Sequence, residues 1–262
     1  MKILGTYHSS LKEKNQVGEI GLTQKYLKKF FLENPTLSRE QPNSVLLEAV
    51  PKEPSDNENQ QKPHALAISH QEYEMFRKNE YYRYFLAVKR LIQRGGFNPV
   101  QAEPNYSSKM FQTSFNLIRF LGLDNLDQPD IKIDLDMLAN HLASLKGKVS
   151  PGYITDGVLF LRSIRGKTAS ISALREIVYG TFYKRTGIIL DNSKKLGGRL
   201  LITGNGHAYN IQKMESGHEV SFTKPLDNQS VYSYQVVKDC YQSHKEIVEE
   251  IATAFKNRYK EI

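Results

Sequence analysis

Apolar positions follow two different spacings along the first hundred residues. Compact apolar runs of strand length occur at Met1–Thr6, Ser44–Val50 and Phe97–Glu103. Between them, apolar residues recur every three or four positions over 22–31 and again over 66–94, and these helical patterns stop before Pro35 and at Gly95-Gly96. The order strand, helix, strand, helix, strand is typical of a parallel sheet with right-handed crossovers.

The remainder of the chain is predicted to be mainly helical. Apolar stripes at helical spacing occupy Met110–Ile118, Leu135–Leu145, Ile171–Phe182 and Cys240–Phe255. Gly187 predicts the end of the third stripe. A fourth strand is expected at Arg199–Thr203, and Ser230–Val236 is a further strand candidate.

These elements predict a single α/β domain over residues 1–262 with a mainly parallel central sheet flanked by helices. A mostly helical insertion is expected at about 104–190, and the chain is expected to end in an amphipathic helix. The proline-rich polar segment 51–64 reads as an exposed loop.

Two tetrapeptides of the form Gly-x-x-His follow predicted strands. Gly5-Thr6-Tyr7-His8 comes after the first, and Gly204-Asn205-Gly206-His207 comes after the fourth. Ligands bind outside the carboxyl ends of the strands in an open parallel sheet, and glycine lets the chain turn sharply there. We therefore expect His8 and His207 to face one ligand, with Gly5, Gly204 and Gly206 beside it.

Two carboxylates are placed to join these histidines. Glu48 interrupts the apolar run SVLLEAV, and Glu103 ends the third predicted strand in VQAEP. A charge inside a buried strand is costly unless it is paired, ligated or at the open end of the strand. The sequence thus predicts His8, Glu48, His207 and Glu103 at one edge of the sheet.

Such a set allows two kinds of chemistry. Imidazole and carboxylate groups together bind divalent metals such as manganese, cobalt, zinc or iron, and a bound metal lowers the pKa of its water. Without a metal, one histidine can act as general base while the carboxylate orients it. We expect His207 to lie near a helix N-terminus, which disfavours the imidazolium form.

The segments GTYH, LLE and LLITGNGH resemble those of the superfamily that contains the erythromycin esterases, the ChaN haem-uptake proteins, and the TraB and Tiki proteins. The resemblance extends over roughly residues 1–215 as scattered motifs. It implies His8, Glu48 and His207 as the core of the site, with Glu103 at a strand-end position that is often polar. Leu174-Arg175-Glu176 is similar to a helical Arg-Asp or Arg-Asn pair of the family, which implies that Arg175 holds a substrate oxyanion or carboxylate.

The resemblance leaves two activities open, because the family contains metal-dependent proteases, lactone-opening esterases and haem-binding proteins. The first is a hydrolase, with a divalent metal assisting, that cleaves an ester, lactone or amide bond of a small molecule or peptide. The alternative is a non-catalytic protein that binds haem or another anionic ligand in the same crevice. Fold alone does not choose between them.

Composition narrows the cellular setting and the partners. The net charge is +8, but the basic residues are scattered, so nucleic acid is a weak candidate partner. The single cysteine, Cys240, excludes an intrachain disulfide, suits a reducing compartment and lies in an apolar stripe. No secretory leader or run of 18 apolar residues occurs. We expect a cytoplasmic protein, or one exported without a cleaved signal, and the oligomeric state is left open.

Overall fold

The structure is a computed structural model that describes residues 1–7, 13–34, 45–50, 80–120, 135–147, 149–167, 170–224 and 233–260. Its strands are β1 (Lys2–Thr6), β2 (Val45–Leu47), β3 (Val100–Gln101), β4 (Leu200–Gly204) and β5 (Glu219–Phe222). Its helices are α1 (Glu13–Glu33), α2 (Glu80–Arg94), α3 (Asn105–Phe120), α4 (Leu135–Ser144), α5 (Pro151–Ile164), α6 (Ile171–Lys195), α7 (Asn205–Met214), α8 (Tyr234–Ser243) and α9 (Lys245–Arg258). The predicted loop at 51–64 and the first part of the helical pattern at 66–94 lie outside the described residues.

The strands form one parallel sheet in the order β3-β2-β4-β1-β5. In its centre, β1 pairs with β4 on one side and with β5 on the other, while β2 pairs with β4 and β3. The predicted α/β class with a mainly parallel sheet is therefore confirmed. The apolar pattern did not predict β5. Glu219–Phe222 is an edge strand whose first residue is exposed and whose other three residues are only partly buried, so it has no compact apolar run.

Helices cover both faces of this sheet. One face shares its core with α1 and α2, through Leu4, Val45, Leu47, Leu200 and Ile202 of the strands and Leu27, Phe30, Tyr84, Phe85, Val88 and Ile92 of the helices. Successive strand residues point to opposite faces. The alternate residues Ile3, Leu46 and Leu201 are accordingly buried on the other face. There a Cβ atom added to Gly5 would meet Ala208 of α7.

The connections that leave β2 and β4 run in opposite directions along the sheet. The strand after β2 is its outer neighbour β3, whereas the strand after β4 is β5, on the far side of β1. Parallel sheets bind their ligands where the direction of the connections changes in this way, outside the carboxyl ends of the strands. We call the space beyond the ends of β2 and β4 the switch-point crevice.

The chain divides into two compact units. The first comprises Met1–Ala102 and Asn192–Leu226 and contains the sheet with α1, α2 and α7. The second comprises Glu103–Asp191 and Asp227–Ile262 and is helical. Its apolar core is formed by residues such as Met110, Leu138, Phe160, Leu174, Ile177, Ile251 and Phe255. A single domain over 1–262 stays a prediction, while the helical nature of the middle of the chain agrees with the described residues.

Three expected element bounds are wrong. Helix α6 runs through Gly187 to Lys195, because one glycine costs a helix only about 1 kcal/mol and buried residues on both sides outweigh it. Tyr234–Val236 begins α8 rather than forming a strand. The C-terminal amphipathic segment is two helices, since His244 leaves the helical conformation at φ −123° and ψ 26°.

Candidate functional site

Glu48 is the first residue after β2 and lies at the switch-point crevice. Its side chain is almost fully buried, at 1% exposure. The Oε2 atom accepts hydrogen bonds from the Thr203 hydroxyl and the Gly204 backbone N–H, both at 2.7 Å. Hydrogen bonds to an ionised group are the strong ones, and they offset part of the cost of burying a carboxylate. One oxygen of Glu48 is thereby fixed by the end of β4.

His207 reaches the same place from the neighbouring strand. Helix α7 begins at Asn205, immediately after β4, so His207 lies in its first turn, as expected from the sequence. The imidazole is buried, and its Nε2 atom lies 4.0 Å from Oε1 of Glu48. The structure therefore brings together two of the predicted site residues, with the second oxygen of Glu48 directed towards the histidine.

The glycines of both motifs have contacts within the protein. A Cβ atom on Gly5 would lie 2.7 Å from Phe222 Cδ1, 2.8 Å from Ala208 Cβ and 2.9 Å from Asn205 Oδ1. Gly204 donates its N–H to Glu48, and the Gly206 carbonyl accepts a hydrogen bond from Asn210 Nδ2 at 2.7 Å. Gly5 thus lets α7 approach β1 closely, while direct contact of these glycines with a ligand stays a prediction.

The other two predicted metal ligands are His8 and Glu103. His8 lies outside the described residues. Glu103 begins the second unit, where its two oxygens accept hydrogen bonds from Arg185 Nε at 2.6 Å and Arg185 Nη2 at 2.7 Å. Because this buried guanidinium engages both oxygens, we leave Glu103 out of the proposed site. Within the described ranges, no group of three or more His, Cys, Asp or Glu residues could hold a metal ion.

Arg175, the predicted substrate-binding residue, lies on α6 in the second unit. Its side chain is mostly buried within that unit, at 9% exposure. The next residue, Glu176, faces His244, with 2.7 Å between Glu176 Oε2 and His244 Nε2. The role that the resemblance implies for Arg175 stays a prediction.

Two polar residues at the carboxyl end of β1 were not predicted. Glu19 of α1 is buried, and its Oε1 accepts a hydrogen bond from the Tyr7 N–H at 2.8 Å and another from the Thr223 hydroxyl. Tyr84 of α2 is fully buried, and its hydroxyl lies 2.8 Å from Thr23 Oγ1. The spacing of residues in the sequence could have identified Glu19 and Thr23 as buried. Both lie on the same face of the helix as the apolar residues that follow them.

The Tyr84 hydroxyl connects these groups electrostatically. Burial raises its pKa above the ordinary value, and the charges of Glu19 and Glu48 act in the same direction. The phenol therefore stays protonated near neutral pH. Its complete burial places Tyr84 in the core that α1 and α2 share with the sheet.

Cys240 does not behave as a nucleophile in this structure. Burial, together with the nearby charges of Glu176 and Asp239, raises the pKa of its thiol to about 11. Since the thiolate is the reactive form of cysteine, this side chain remains a protonated, half-buried thiol at neutral pH. That agrees with the packing role expected from the apolar stripe.

Comparisons of the chain with protein-family models, with curated proteins and with solved structures gave no match. Among the helices in the described ranges, none combines the length and the apolar character needed to cross a membrane.

Proposed function

We propose that this chain is a hydrolase that activates water at the switch-point crevice to cleave an ester, lactone or amide bond. The observation that supports this proposal is the buried pair of His207 Nε2 and Glu48 Oε1, 4.0 Å apart. A single water molecule about 2.8 Å from each atom can bridge such a gap. A buried imidazole and carboxylate around one water form a general-base arrangement.

Each residue has a definite task in this proposal. His207 accepts the proton of the attacking water, and Glu48 Oε1 orients that water and stabilises the charge that develops on the imidazole. Thr203 and Gly204 hold Oε2 of Glu48, so its other oxygen does not rotate away. His8 is the third member that the family resemblance implies, and Arg175 is the residue implied for the substrate oxyanion.

The donor chemistry of the pair also suits a divalent metal. Imidazole nitrogen and carboxylate oxygen are common ligands of zinc, manganese, iron and cobalt. Glu48 and His207 would hold the ion together with His8, since catalytic sites commonly use three protein ligands. When bound, the metal would supply a water of lowered pKa, in place of proton removal by a neutral histidine.

Two substitutions test the proposal directly. His207→Ala and Glu48→Gln should each lower kcat/KM by about 10²–10⁴-fold, the usual contribution of a positioned acid or base. The assays use p-nitrophenyl acetate, a panel of lactones and a quenched fluorescent peptide library, and elemental analysis of purified protein accompanies each assay. His218→Ala is the matched control, because His218 is a partly buried histidine of the same unit that is paired with Glu215.

The result that contradicts the proposal is unchanged hydrolysis and unchanged metal content in both site variants. A Soret band on haem titration, lost in His207→Ala and accompanied by no hydrolysis of any substrate, would instead support the non-catalytic alternative.

A further inference from the structure

Glu19 has an incomplete set of hydrogen-bond partners. Its Oε1 atom accepts from the backbone of Tyr7 and the hydroxyl of Thr223, which fixes the carboxylate between the ends of β1 and β5. Its Oε2 atom is buried and has no hydrogen-bond partner among the described residues. The residue as a whole is 1% exposed, so this oxygen is withdrawn from bulk solvent.

Such an arrangement is costly for the protein alone. Both partners of Glu19 among the described residues are neutral groups, whereas a buried carboxylate is ordinarily compensated by a cation or a full set of donors. An unsatisfied buried acceptor costs about 1–3 kcal/mol, and more when it is charged. An oxygen left in this state at the ligand-binding edge of a parallel sheet indicates a donor that arrives with a ligand.

A second buried acceptor lies at the same edge. Asn205, 4% exposed, donates its Nδ2 to the Lys224 carbonyl, which fixes the orientation of the amide. Its Oδ1 is then an acceptor, and it has no partner in the described part of the chain. Glu19 Oε2 and Asn205 Oδ1 are therefore both acceptors that would bind a hydrogen-bond donor. A carboxylate or phosphate group of a ligand has only acceptor oxygens and would not bind to either.

We propose that the edge of the sheet at β1 and β5 binds a cationic amine of the ligand, with Glu19 Oε2 as its acceptor and counter-charge. This inference rests on the proposed hydrolase and specifies its substrate as a basic ester or amide. An ammonium group fits because it donates three hydrogen bonds and carries a positive charge, which neither Tyr7 nor Thr223 supplies to Glu19. Glu19 accepts hydrogen bonds from Tyr7 and Thr223, directly after β1 and β5, and Glu48 directly follows β2, so both carboxylates lie at the carboxyl edge of one parallel sheet.

Binding and turnover are measured with ligand pairs that differ only in the amine. Calorimetry compares N-acetyl-lysine methylamide with N-acetyl-norleucine methylamide, and kinetics compare the p-nitrophenyl esters of N-acetyl-lysine and N-acetyl-norleucine. The wild type should prefer the lysine compound by about tenfold or more, the effect of one charge-assisted hydrogen bond. Glu19→Gln keeps an oxygen for Tyr7 and removes the charge, so it should abolish the preference. Glu33→Gln is the control, because it removes an exposed carboxylate from the same helix.

The two assays separate failure of this inference from failure of the hydrolase. Lysine-selective binding that disappears in Glu19→Gln supports the amine site even if neither ester is cleaved. Equal or undetectable binding of both amides to the wild type, or a preference that survives in Glu19→Gln, overturns it. If Glu19→Gln does not fold, Glu19→Asp is measured instead, because it moves the carboxylate back by one methylene. The inference then requires that Glu19→Asp reduces the preference for the lysine compound.

Discussion

One hydroxyl group joins the end of β4 to the carboxylate after β2. Thr203 is fully buried and donates to Glu48 Oε2 at 2.7 Å. The sequence identified Glu48 as an unusual charge in an apolar run, but it gave no reason to single out Thr203. A threonine in a buried strand is common, and only its partner reveals its role.

Thr203→Val should lower kcat/KM by about tenfold while the protein stays folded. Valine has the same shape but lacks the donor, and one hydrogen bond to a charged group is worth about 1.5–3 kcal/mol. Thr203→Ser should retain most activity because it keeps the hydroxyl.

Thr186→Val provides the comparison, since Thr186 is a buried threonine whose hydroxyl donates to the Phe182 carbonyl within α6. Steady-state kinetics and urea unfolding are measured for all three variants. If Thr203→Val and Thr186→Val have the same activity, Thr203 does not position Glu48.

Gly5→Ala should destabilise the protein by about 1–3 kcal/mol, because the new methyl group would overlap Phe222, Ala208 and Asn205. The matched substitution is Gly187→Ala in α6, where a Cβ would meet no described atom within 4 Å apart from the backbone of its own helix. It should stabilise by about 0.5–1 kcal/mol, because alanine favours a helix interior. Urea unfolding checks both, and an unfolding midpoint of Gly5→Ala at or above that of the wild type would contradict the close approach of α7.

At the scale of elements, helical periodicity and strand runs predicted most of the described helices and four of the strands. The failures have local causes. Gly187 is a poor helix residue in an otherwise well-packed helix, and β5 is a partly exposed edge strand with little apolar pattern. In both cases packing against other elements outweighed the local signal.

Glu103, a predicted site residue, forms an ion pair with Arg185 of helix α6. The guanidinium of α6 binds both oxygens of Glu103, just after β3, and also lies 5.2 Å from the centre of the Phe111 ring. These contacts attach the start of the second unit to two of its helices. We therefore expect Glu103 to be a structural residue, while its role as a metal ligand stays a prediction that its substitution can test.

Glu103→Gln should lower the free energy of unfolding by about 3–5 kcal/mol, because it leaves the buried guanidinium without its counter-charge. Metal content and kcat/KM per folded molecule should stay at the wild-type level. Glu215→Gln, which removes the charge facing the exposed Lys194 but keeps an oxygen or amide for His218, should change stability by no more than about 1 kcal/mol. Loss of metal or activity in Glu103→Gln at full folding would return Glu103 to the site.

At the scale of the whole molecule, the order of the strands decides which side chains can meet. Because β4 is inserted between β1 and β2, the residues after β4 lie beside the end of β2. Glu48 and Thr203 are 155 positions apart in the chain, yet their side chains are hydrogen-bonded. The switch-point crevice, and with it the proposed hydrolase site, follows from this order.

The sequence by itself determined the α/β class, the strand-end positions of Glu48 and His207, and the start of α7, because these depend on periodicity and on residues adjacent in the chain. The tertiary structure alone decided that Glu48 meets His207, that Glu103 pairs with Arg185, and that Glu19 and Tyr84 lie near the edge of the sheet. Those contacts link residues far apart in the chain, and local patterns carry no information about which distant strand or helix becomes a neighbour.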